Sequence, residues 1–233
     1  MRAFWTVLLV ACVAYVIAPA VRAPAGTARL DVQGVKAALG STRDLTGADM
    51  SGLDLRGLNF TGATLVRAIM TGADLRSVSL RMADLSFARL DGVNASETDF
   101  TGSNLREADL RAAILREARL GEAYAFGANL GGADLRAARL IGATLDHANL
   151  AGANLTGANL RKANVIQGRL DGANLSGSDL RDTDLRSVSL QGADVTAADV
   201  EGARVDRAAL DQAKNAAHLK NRDRVRTPEP SGR

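Results

Sequence analysis

The sequence predicts an all-β fold: a solenoid in which the chain winds into stacked coils of parallel strands, closed at its ends by short helical caps. Three observations predict it. An apolar residue recurs at every fifth position from Leu45 to Leu210 without a slip of phase, and 24 of these 34 centres are Leu. Alanine fills 23 of the 34 positions two residues before a centre, and glycine 16 of the 34 positions two residues after it. Only 3% of the residues are aromatic although 46% are hydrophobic. The chain therefore has enough apolar content to fold, but its interior must be narrow and packed from small side chains.

A period of five excludes the common alternatives. In an α-helix five residues advance the side chain by about 140°, so the leucines would spiral over every face. In a flat strand an odd step flips the face, so alternate leucines would point into water. Each pentad must therefore contain a bend that returns the next centre inward. Alanine and leucine two apart share one side of an extended piece. The other three residues form the corner, where glycine serves a backbone that needs φ > 0. Coils built this way satisfy their backbone groups from one coil to the next, at about 4.8 Å spacing. The centres that are not Leu are Val165, Val195, Val200, Val205, Phe60, Phe100, Met50 and Met70, with Ala95 and Ala125 as the two small exceptions.

Stretches such as Ala48-Asp49-Met50-Ser51-Gly52, Ala73-Asp74-Leu75, Ala153-Asn154-Leu155-Thr156-Gly157-Ala158-Asn159-Leu160 and Ala173-Asn174-Leu175-Ser176-Gly177 resemble the A(D/N)LxX unit of the pentapeptide-repeat proteins. The resemblance covers about three quarters of the chain. It implies a right-handed quadrilateral parallel β-helix with four pentads per coil, hence a rod about 40 Å long. It also implies dimerisation through the C-terminal end, for which the basic tail offers no evident apolar helix face.

The expected organisation has four parts. Residues 1–25 begin with Arg2 and the uncharged stretch AFWTVLLVACVAYVIA, Ala3–Ala18, which reads as a secretory signal. Ala18-Pro19-Ala20 and Ala23-Pro24-Ala25 offer cleavage after Ala20 or Ala25. Residues 3–21 are alternatively long enough for a retained membrane anchor, and Leu9-Val10-Ala11-Cys12 resembles a bacterial lipobox with Cys12 as the lipidated residue. Residues 26–42 hold an N-terminal cap, with a short helix over Leu30–Leu39, Asp31 at its start and Gly40 as its stop. Residues 43–212 are the solenoid. Residues 213–233 are a C-terminal cap, helical over Ala213–Leu219, and a charged tail that is flexible from Lys220.

Charge follows the same division. The chain is +3, but residues 1–25 contain two Arg and no acid, and 214–233 contain six basic and two acidic residues, leaving 26–213 at 21 against 24, or −3. The basic balance belongs largely to the tail and gives no reason to expect nucleic acid. One cysteine, Cys12, and two histidines, His147 and His218, exclude a disulfide framework and a zinc-finger-type site. Neither a Ser-His-Asp arrangement, nor a phosphate loop, nor a metal spacing is present, so the chain reads as non-catalytic and without a cofactor. The Asp and Asn residues before the centres suit bends and backbone hydrogen bonds.

Residues that depart from the unit mark two candidate surfaces. With residues twenty apart stacked, Arg56, Arg76, Arg116 and Arg136 share a column interrupted by Ser96. Arg161 and Arg181, with Arg119 and Arg139, lie on the adjacent face. These read either as a stripe for an anionic partner or as a solvated surface neutralised by aspartates. Val66, Phe87, Tyr124, Phe126 and Ile166 fall on or beside another face. They read either as a protein-contact patch or, for Phe126 above all, as repair of the void at Ala125. The function expected is that of an exported scaffold or binding protein, periplasmic or extracellular, contacting a protein or cell-envelope component through a rod face. Two alternatives stand beside it: a membrane-anchored rod, and a cytoplasmic topoisomerase-binding protein of the DNA-mimic type. The latter needs a strongly acidic surface, which a solenoid of −3 with arginine columns lacks.

Overall fold

The structure, a computed structural model, describes residues 29–227. The expected signal or anchor at 1–25, with its cleavage positions and Cys12, lies outside the described residues. So do residues 228–233.

The residue before each apolar centre from Asp44 to Asp179 forms a parallel bridge with the residue twenty further on, as do Arg29 with Asp49 and Asp194 with Lys214, while Asp184↔Arg204 belongs to a short sheet. Four pentads therefore complete one coil. The pentad around Leu155 shows how the backbone is satisfied. Leu155 N donates to Asn174 O at 2.7 Å and Gly157 N to Ser176 O at 3.0 Å, both in the next coil, while Asn154 N donates to Ala133 O at 2.9 Å in the previous one. Ala158 N closes the corner on Leu155 O at 2.9 Å. Thr156 N has no backbone acceptor to reach, and Asn154 Oδ1 supplies one at 3.1 Å. All five amides are thus engaged, as backbone groups withdrawn from water must be. The fifth bond explains why Asp or Asn precedes so many centres: its short side chain accepts from the amide two residues on.

The corner conformation is uniform. Every second residue after a centre, from Gly47 to Gly202, has φ > 0; sixteen of these are Gly and sixteen are not. A left-handed third residue is the mark of a type II turn. Met82 (φ 55), Phe87 (φ 60) and His147 (φ 59) adopt it as fully as Gly157 (φ 65), so the stacked coils impose the geometry even on bulky side chains. Because corners flank each bridge, extended runs stay very short. Only β1 (Asp184–Leu185) and β2 (Arg204–Val205) reach two residues, paired in parallel.

The core is a column of Leu and Ala, with Leu55, Leu105, Leu155, Ala133 and Ala158 all at 0% exposure. Hydroxyls at the alanine position are tolerated where they find a carbonyl: Thr98 Oγ1 donates to Leu75 O and Thr183 Oγ1 to Leu180 O, both at 2.6 Å. Ser103 and Ser178 are buried with no partner for Oγ among the described residues.

Caps close the described rod. Helix α1 (Val32–Gly40) starts at Asp31, whose Oδ1 accepts from Gly34 N at 2.7 Å, and buries Val35 and Leu39 against the first coil. Arg43 ties this cap down by donating to Asn59 O and Thr61 O at 2.9 and 2.7 Å. At the other end, helix α2 (Arg207–Asp211) begins six residues before the expected start of the C-terminal helix. Single 3₁₀ turns follow at Ala216–His218 and Arg222–Arg224. The expected flexible tail is, through Thr227, a further partial coil: Lys220 bridges to Asp199 and Arg226 to Arg204. The reason is that the open carbonyls and amides of the coil before it need partners, and Val200 N takes Lys220 O and Val205 N takes Arg226 O, both at 3.2 Å. The step between partners grows from twenty to 21 and then 22 residues here.

Two predictions follow from this geometry. Leu155→Asp places a carboxylate where exposure is 0% and is expected to cost about 4 kcal/mol or more. Thr156→Asp, one residue away and outside, stays within about 0.5 kcal/mol; denaturant midpoints compare the two, and equal losses would overturn the inward assignment. At the left-handed corners, Ala137→Gly (φ 55) is expected to stabilise by about 0.5–1 kcal/mol and Gly157→Ala to destabilise by about as much, read as opposite shifts in melting temperature.

Candidate binding surfaces

The arginine column exists, but it is not a stripe of one sign. Arg56 Nη2 lies 2.6 Å from Asp54 and its Nε 3.5 Å from Asp74; Arg76 Nη2 is 2.7 Å from Asp74. Arg116 and Arg136 both hold Asp134, at 2.6 and 2.9 Å. Each arginine follows the centre and each aspartate precedes it, so the pair brackets one leucine and can bridge to the next coil. The hydrogen bond from Arg136, reinforced by Arg116, draws the Asp134 carboxyl down to about 2 from 3.8. Arg56 does the same for Asp54, also to about 2. The guanidiniums stay about half exposed, so each single pair contributes little to stability. Among the other arginines, Arg181 is held by Asp179 at 2.6 Å, Arg119 is 3.8 Å from Asp99, and Arg119 bridges to Arg139 through the backbone.

The five apolar candidates share a face but do not merge into one patch. Val66, Phe126 and Ile166 occupy one column at three- and two-coil intervals, about 14 and 10 Å, with Ser86, Arg106 and Asp146 between them. Phe87 lies between two guanidiniums, with Arg67 at 5.3 Å and Arg106 at 5.8 Å from its ring centroid, a cation–π arrangement. Tyr124 and Phe126 do form a cluster, their rings 6.3 Å apart and 13° from parallel. His147, from the next coil, completes it at 5.0 Å from Phe126. Phe126 does not repair the core: Ala125 is buried at 2%, and Phe126 is not among the residues of the apolar core or packed against it. Tyr124 is 44% exposed, so the trio presents aromatic surface to solvent. Sequence reasoning missed His147 and the two arginines over Phe87, although a twenty-residue register would have placed them.

Among the described residues no group of His, Cys, Asp and Glu could hold a metal ion. No described helix is long and apolar enough to cross a membrane.

A solenoid of pentads with outward-facing charge ladders is a repeat protein, and the repeats themselves identify its kind. The description "Pentapeptide repeats" matches in overlapping copies that run from residue 44 to residue 207. The chain belongs to the pentapeptide-repeat family. Among solved structures it is similar to HetL, a pentapeptide repeat protein involved in heterocyst differentiation regulation from the cyanobacterium Nostoc sp. strain PCC 7120, at 29% identity over 75% of this chain and 97% of that one, with a TM-score of 0.36. It is also similar to a pentapeptide repeat protein of the Arabidopsis thaliana thylakoid lumen, at 36% identity over 46% of this chain and 68% of that one, TM-score 0.24. A third is QnrB1, a plasmid-mediated fluoroquinolone resistance protein, at 22% identity over 74% of this chain and 90% of that one, TM-score 0.38. The family membership rests on the repeat itself. No curated protein matches.

The ladder yields a pH prediction. Asp134 has a folded pKa below its unfolded value, so its contribution to stability is present above about pH 4 and is lost as pH falls toward about 2. Thermal melts between these limits are expected to fall less steeply for Asp134→Asn than for the parent, and parallel acid limbs would show that the carboxylate contributes nothing.

Proposed function

We propose that the chain is an exported, non-catalytic rod that recognises a protein or cell-envelope component through the face bearing Tyr124, Phe126 and His147. The observation that carries this reading is the aromatic trio standing outside a core that has no use for it. Aromatic side chains at a solvated surface favour a protein contact. The carboxylates most numerous on the surface are engaged as turn acceptors or arginine partners, which supports binding rather than acid–base chemistry. The first 25 residues support export, by their apolar run and Ala-x-Ala positions. The DNA-mimic alternative is disfavoured by the same ladder, since Asp54, Asp74 and Asp134 are each matched by arginine.

Fractionation followed by intact-mass measurement tests export: the expected species ends its cleavage at Ala20 or Ala25 and is soluble outside the cytoplasm. A full-length cytoplasmic protein would overturn it. A photo-reactive side chain at position 124 is expected to give a discrete cross-link in intact cells, whereas one at 156, two faces away, gives none. Equal products from both positions would sink the assignment of the face.

A further inference from the structure

A second surface lies at the C-terminal end of the adjacent face, where the arginine column continues past the regular repeat. The first corner residues Arg161, Arg181 and Glu201 stack in successive coils, and Arg224 forms the next rung. Lys162 N donates to Arg181 O at 3.1 Å, Asp182 N to Glu201 O at 2.9 Å and Gly202 N to Arg224 O at 3.2 Å. The lengthened step of the last coil brings Arg226 alongside. Together Arg161, Arg181, Arg224 and Arg226, with Asp182 and Glu201, line a recess of about 440 Å³.

Two carboxylates, Asp182 and Glu201, line the recess against its four guanidiniums. Glu201 is bound to Arg224 at 2.7 Å, and Arg181 to Asp179 at 2.6 Å with Asp199 at 3.9 Å. Asp182 lines the recess beside Gly202, with Arg161 and Arg226 among the other lining residues. Arg161 Nε is buried and has no acceptor among the described residues, an expensive state for a charged donor. The space is kept open by Gly202: a Cβ there would lie 2.6 Å from Asp182 Oδ1 and 3.9 Å from Arg226 Nη2.

We propose that this recess binds a phosphate group, carried on a small soluble molecule or on a lipid headgroup. Four guanidiniums from three rungs present planar forks matched to a tetrahedral oxyanion. The buried Arg161 Nε gains its missing acceptor, and the volume admits a phosphate with a small organic substituent. The site is separate from the aromatic trio and does not depend on it.

The test uses the full chain, with inorganic phosphate followed by calorimetry and with vesicles of phosphatidylcholine containing phosphatidylglycerol followed by co-sedimentation. Arg161→Gln and Arg226→Gln are each expected to weaken binding by about tenfold or more, while Arg136→Gln, in the paired ladder, leaves it unchanged. Phosphate binding with this pattern supports a soluble ligand; vesicle binding alone with this pattern supports a headgroup. No binding to either probe overturns the proposal. So does an equal loss in Arg136→Gln, which would reduce the effect to net charge.

Discussion

The structure depends on giving each of five amides per pentad an acceptor. A coil only two inward side chains wide per edge cannot hide unsatisfied backbone groups, and it has no long strands to absorb them. Three amides go to neighbouring coils, one closes the corner, and one falls to the side chain of Asp or Asn. The other regularities follow from that arrangement. The corner must be left-handed to aim the amide of its second residue at the next coil, and the inward pair is mostly leucine and alanine because the coil is narrow, although Val78 with Leu80 and Thr98 with Phe100 also fit inside it.

This constraint divides the chain between structure and recognition. The two inward positions of each pentad are fixed by packing; the outward ones are available for charge and contact. Most outward charge is spent locally, as aspartate and arginine bracket a leucine and hold each other. At the two surfaces singled out above that local matching fails. Around Tyr124 the residue before the centre is aromatic and cannot cap the following amide. Around Arg161 the ladder meets an acid already engaged by the extra rung of the final coil.

The inside and outside of the solenoid were legible from the five-residue ruler alone, because each centre is buried irrespective of its neighbours. Leu155 needed no structure to be placed. The role of Asn154 was legible in kind, as a bend residue, though not as the acceptor of one particular amide. The arginine column was legible as a column but not as a ladder, since whether Arg136 turns toward Asp134 depends on side-chain geometry across a corner. The left-handed corners at Phe87 and His147 were not legible, because residue preference argues against them and only stacking overrides it. The C-terminal recess was hidden for another reason: Arg224 and Arg226 follow two inserted residues, so a twenty-residue register assigns them to the wrong columns.

A twenty-residue coil built from interchangeable five-residue edges also sets which changes of length this chain can survive. Duplicating or deleting twenty residues returns every downstream side chain to its own column and merely alters the height of the rod. Adding five residues preserves the core equally well, yet turns everything beyond the insertion by a quarter. A binding surface spanning several coils would be dismantled without any loss of folding. Lineages of such rods can therefore drift in length by whole coils while keeping their contacts, and change partners by a single pentad.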